Sequence, residues 1–148
     1  MNSLYVFIMF ILPCFFGGLG AVLRCAMTKK ISAAHKSEVP VATLFINCVA
    51  SFAIGVMSNV FMVAAAICGV RFAYLMILGF LGGFSTFSTA IFEGVDLIQR
   101  KRIKDGVFLL FAELIVPFFA ASVGYIVSQI LLPVSYTHLR AHETDSYL

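Results

Sequence analysis

The sequence predicts an all-α membrane protein of four transmembrane helices, the third of them broken near its centre. Composition is the first reason. Of 148 residues, 61% are hydrophobic and only 11% charged, more apolar surface than one core of this size can hide. Spacing is the second. A spanning helix needs about 20 apolar residues, and four such runs are present, at about 4–27, 39–62, 71–98 and 107–132. The third reason is the stretch 79–93, GFLGGFSTFSTAIFE, in the middle of the third run. Paired glycines at Gly82 and Gly83 each weaken a helix by roughly 1 kcal/mol relative to alanine. The hydroxyls that follow compete for the backbone ladder. In hydrocarbon an unsatisfied carbonyl costs several kcal/mol, so non-helical backbone must line a cavity or hold an ion. Close helix packing through small residues is the plainer alternative, and at this point both stand.

Span one carries Gly17, Gly18, Gly20 and then Arg24. The glycines suit a close helix crossing or a kink. Arg24 near the end of the run is expected to snorkel to the interface; the functional reading is a fixed cation beside an anion path. The run lacks the basic leading segment and the cleavage pattern of a signal peptide, so it is read as retained. Span two places Thr43, Asn47, Ser51 and Gly55 four residues apart, a polar stripe on one helix face. Such a stripe faces protein or water rather than lipid. Asn47 is its sharpest member, an amide with two hydrogens to donate, to an ion or to a neighbouring helix.

Span three exits through Glu93, Asp96, Arg100, Lys101, Arg102 and Lys104, with Asp96 and Arg100 spaced to pair. Asp105-Gly106 reads as a helix start. Span four carries Glu113 and Pro117. A carboxylate at that depth costs about 2.5–3.5 kcal/mol if ionised, so Glu113 either is protonated or points at a polar partner. Cys14, Cys25, Cys48 and Cys68 stand singly, without metal-ligand or redox spacing, and read as small apolar packing residues. The last 15 residues, VSYTHLRAHETDSYL, break the composition. Residues 134–144 can be written as one frame of a transposon-type sequencing adapter, so 134–148 is read as a scar of assembly or cloning. On that reading the four-helix unit spans 1–133.

If the helices alternate, loops one and three share a membrane face. They carry Lys29, Lys30, Lys36, Arg100, Lys101, Arg102 and Lys104, against Arg71 alone on the other side once the tail is set aside. Basic loops stay cytoplasmic, so both termini are expected outside and the chain inserts one way.

The motifs resemble a known family. Gly79–Thr89 (GFLGGFSTFST), followed by Glu93, is similar to the GFxGGxTTFSTFSxE signature of the Fluc/CrcB fluoride channels. GGLGAVLR at 17–24 and ATLFINCVASFAIG at 42–55 resemble the family's first- and second-span motifs in the right order. The resemblance implies an antiparallel (inverted) dimer in a bacterial-type plasma membrane, conducting fluoride out of the cytoplasm. It implies a structural Na+ at the dimer centre, held by main-chain carbonyls that correspond to Gly82 and Ser85. It also implies pore contacts from Asn47 and Phe87. Fluoride is small and strongly hydrated, so its path must replace water with donors; Asn47, Thr86 and Ser88 can supply them, and the positive ring edge of Phe87 suits an anion.

Departures from the family pattern matter. The second signature phenylalanine is Ala90, and Leu109, Glu113 and Pro117 stand where a tyrosine, a serine and a glycine are expected. An acid beside an anion path would oppose conduction if charged. Together with the one-sided loop charge, these changes suggest one half of a heterodimer. Two other readings compete. One is a non-conducting structural partner subunit. The other is a small multidrug exporter, which would need an acid in span one, where residues 4–27 have none. No nucleophile–base pair, metal cluster or phosphate loop suggests an enzyme.

Overall fold

The computed structural model describes residues 3–35, 39–68 and 71–131, with side chains placed for most of them. Lys36 and the tail 134–148 lie outside this set. The described chain forms five helices: α1 (Ser3–Ala34), α2 (Ala42–Cys68), α3 (Arg71–Phe84), α4 (Phe87–Gln99) and α5 (Ile103–Leu131). Four stretches are long and apolar enough to cross a membrane: Phe7–Ala34, Ala42–Phe61, Ala73–Gln99, which takes in α3 and α4 together, and Ile103–Leu131. Large side chains such as Phe10, Phe108 and Ile130 are exposed around the outside, as lipid-facing residues are.

Helix α1 runs to Ala34, past the boundary expected near residue 27. The extension has a packing cause: Met27 and Ile31 rest on a buried cluster of Ile46, Ala50 and Phe84. Arg24 therefore lies well inside α1 rather than at its end. Helix α5 starts at Ile103, earlier than expected, with Asp105 in its first turn paired to Arg102 at 2.8 Å. A carboxylate there complements the helix dipole. The turn before it closes on Lys101 at φ 64°. Arg102 N–H bonds to Leu97 O at 2.9 Å and Lys101 N–H to Ile98 O at 3.0 Å, the paired bonds of a left-handed helix cap. The expected Asp96–Arg100 pair forms at 2.9 Å and is solvent-facing, so it adds little stability.

Two seams hold the bundle together. Along α1 and α3, a methyl on Gly20 would overlap the Phe80 carbonyl and one on Gly83 the Gly17 carbonyl, so these backbones lie in direct contact. Contacts advance together along both chains, from Pro13–Gly79 to Gly20–Phe84, which makes the two helices parallel. Along α2 and α5, Gly55 abuts Ala121 and Gly124 abuts Phe52, and the Asn47–Glu113 bond earlier on both helices shows that these two also run in parallel. The buried stripe of α5 includes Leu109, Glu113 and Pro117.

The break differs from the sequence expectation. Gly82 and Gly83 are both helical, and Ser85 N–H still reaches Leu81 O at 2.9 Å. The first residue to leave the ladder is Thr86, extended at φ −157°, ψ 123°. A propensity cost of about 1 kcal/mol per glycine is easily overridden by packing, and Gly83 is held against α1. What ends α3 lies outside α3.

Candidate functional site at the α3–α4 junction

Thr86 is held on two sides. Its own Oγ1 caps α4, accepting from Thr89 N–H at 3.4 Å and lying 3.2 Å from the Ser88 and Thr89 hydroxyls. Its backbone is gripped by α2: Thr86 N–H donates to Asn47 Oδ1 at 2.8 Å, and Asn47 Nδ2 donates to Thr86 O at 2.9 Å. A side-chain amide paired with a backbone N–H and C=O has only one workable orientation, because each donor must face an acceptor. The second Nδ2 hydrogen goes to Glu113 Oε2 at 2.9 Å. Asn47 thus ties α2, α4 and α5 together at one point.

One turn earlier on α2, Thr43 Oγ1 donates to Glu93 Oε1 at 2.8 Å. Thr43, Asn47 and Glu113 are 2%, 7% and 4% exposed, so this polar network is buried. The second carboxyl oxygens, Glu93 Oε2 and Glu113 Oε1, are buried with no partner among the described residues. Sequence reading assigned Glu93 to the charged exit of span three; the fold turns it inward. The signal was available, since Thr86, Thr89 and Glu93 are spaced three and four apart on one face of α4. Glu113 meets its alternative of a polar partner, and that partner is Asn47.

The capture of Thr86 N–H has a consequence for α3. Gly82 O loses the donor four residues ahead of it. Thr89 N–H likewise turns to the Thr86 hydroxyl, and among the described residues no backbone N–H reaches Gly82 O or Ser85 O. Gly82 is exposed, and a methyl added there would meet nothing within 4 Å. Phe87 is 58% exposed and Ser88 is exposed beside it. Ala90, at the second phenylalanine position, is fully buried.

Behind the junction lies a cavity of about 360 Å³ lined by Arg24, Lys29, Thr28, Thr43, Thr86 and Thr89, with Cys25 and Ile46. It brings two cationic side chains together with four hydroxyls, a lining that can receive a small anion. Arg24 belongs to this cavity; Asn47, Phe87 and Ser88 are not among its lining residues. A second cavity of about 590 Å³ is lined by His35, Glu93, Asp96, Arg100 and Arg102 among others. Among the described residues no three His, Cys, Asp or Glu side chains converge as metal ligands. Cys14, Cys25 and Cys48 are free thiols.

Fold and junction define a class: an α-helical membrane protein of four spans, with a polar junction buried between them. Comparison with known proteins then identifies the family. Residues 11–125 match the family described as CrcB-like protein, Camphor Resistance (CrcB). The chain is 37% identical over 120 residues to the fluoride-specific ion channel FluC 3 of Bifidobacterium longum, covering 79% of this chain and 95% of that protein. It is 36% identical to FluC 1 of Carboxydothermus hydrogenoformans, covering 71% and 82%. It is 31% identical to FluC of Thermus thermophilus, covering 74% and 86%. The chain belongs to the CrcB family.

Proposed function

We propose that this chain is a subunit of a fluoride-selective channel that releases cytoplasmic fluoride, and that it forms one half of a heterodimer with an inverted homologue. Its relatives are named fluoride-specific ion channels. Both termini lie outside the cell, following the loop charges, and α3 and α4 are the two halves of one broken span.

The observation that carries the reading is the pair of carbonyls on Gly82 and Ser85 that receive no backbone donor among the described residues. Mid-membrane, such oxygens must meet an ion or a cavity. A hard cation takes oxygen ligands, which suits Na+, and two carbonyls complete no coordination shell alone. A second, inverted subunit would contribute the matching pair. The open space at Gly82 and the exposure of Phe87 and Ser88 suit such a neighbour. Sodium would supply a fixed positive charge that ties the subunits together. The chain's own groups do the rest: Arg24, Lys29 and the threonine hydroxyls draw the anion in, the Phe87 ring edge faces it, and Thr86 and Ser88 replace its water.

The heterodimer follows from one-sided loop charge and from Ala90 and Glu113. Fluoride efflux from liposomes tests it. The purified chain alone should release little fluoride, and the chain reconstituted with an inversely charged homologue should release it quickly. Robust efflux from this chain alone excludes the heterodimer; none from the pair excludes the channel. The structural-partner reading draws on the buried Ala90 and the Asn47–Glu113 bond. A purely structural subunit would tolerate Phe87→Ala in the pair, whereas a conducting one would lose efflux.

A further inference from the structure

We infer that Glu113 shuts off Asn47 as an anion donor: by taking the amide hydrogen that Thr86 leaves over, it keeps this chain's own asparagine from binding fluoride. The inference rests on the channel reading above and concerns which subunit's asparagine serves it.

The argument is a count of hydrogens. The Asn47 amide has two. One is held by Thr86 O, and the orientation is locked because Oδ1 receives Thr86 N–H at the same time. That bond cannot be released without freeing the peptide that starts α4. The other hydrogen is therefore the only one an anion could claim, and Glu113 Oε2 holds it at 2.9 Å within the buried core. Oε2 accepts this hydrogen whether or not the carboxyl is ionised. The second oxygen, Oε1, is buried without a partner among the described residues. Glu93 on α4 is close enough to interact electrostatically with Glu113, and its Oε2 is also without a partner among the described residues. No basic side chain is hydrogen-bonded to Glu113 among the described residues. The cations of the junction, Arg24 and Lys29, line the separate cavity behind Thr86. Fluoride reaching Asn47 would have to displace the Glu113 carboxyl oxygen from the amide.

Fluoride titration of the purified chain in nanodiscs tests this at the atom concerned. The Asn47 side-chain amide is followed by ¹⁵N–¹H spectroscopy and assigned with Asn47→Ala, with chloride as the control anion. In the wild-type chain its resonance should not respond to fluoride. In Glu113→Ala it should shift, with a fluoride affinity gain of about tenfold or more, the size of one recovered charge-assisted hydrogen bond. Glu113→Met removes the acceptor while filling the space, and should behave alike if the alanine variant folds poorly. A wild-type Asn47 amide that responds to fluoride overturns the inference and leaves the channel reading intact. Amides silent in both folded variants overturn it as well. The channel reading stands or falls separately, on efflux from the reconstituted pair.

Discussion

The α1–α3 seam and the α2–α4–α5 junction solve the same problem with opposite chemistry. In α1–α3, backbones touch through glycine, and Gly20 and Gly83 are pressed against carbonyls of the facing helix. Association there is van der Waals contact, which tolerates no added volume. At the junction, Thr43, Asn47, Glu93 and Glu113 hold three helices by hydrogen bonds. The first seam is a close backbone contact. The second contains buried acceptors without donors among the described residues, and it is the one that opens the helical ladder. A bundle with no hydrophobic force between its helices needs the first to hold its shape while the second bears that cost.

Substitutions that exchange the two chemistries should separate them. Gly83→Val drives a branched side chain into the Gly17 carbonyl, which cannot move away; overpacking costs about 1–3 kcal/mol and more against backbone. Size-exclusion chromatography should recover no monodisperse protein. Asn47→Leu leaves Thr86 N–H without its partner and Glu113 without its donor, at about 1–3 kcal/mol for each buried group. Thermal unfolding in detergent should fall clearly while some folded protein survives. Thr43→Val keeps shape and removes one hydrogen bond to Glu93, a loss of about 1–2 kcal/mol by the same measurement. Gly82→Ala should leave the single chain as stable or raise it by up to roughly 1 kcal/mol, since it meets open space. Paired with its neighbour Gly83, it is the sharpest test of the contrast, and equal damage from both would refute it. Outside both seams, Lys101→Gly should stabilise the α4–α5 turn by about 0.5–1 kcal/mol, because it relieves a positive φ.

Several features were legible before the fold was known. Four apolar runs announced four spans, and the Thr43–Asn47 spacing announced a buried polar face. The Asp96–Arg100 pair follows from helical spacing alone. Other features were not. Gly82-Gly83 looked like the point of rupture because local propensity favours it, yet helix packing keeps both in register. The rupture falls at Thr86 because an amide from another helix pairs with its peptide. Nothing near Thr86 in the chain points to Asn47, 39 residues away. The length of α1 was likewise hidden, since Ile31 gains its place only by packing on Ile46, Ala50 and Phe84.

Sequence alone determined that this chain lives in a bilayer, how many times it crosses, and which family its motifs belong to. Those properties depend on composition, on residue spacing along one helix and on residue order, and all three can be read in one dimension. Tertiary structure decided where the helix parts, which carbonyls it releases, and that Glu113 holds the hydrogen Asn47 has left. Each of these is a choice among partners far apart in the chain, and only the packed bundle brings the competing donors and acceptors within reach.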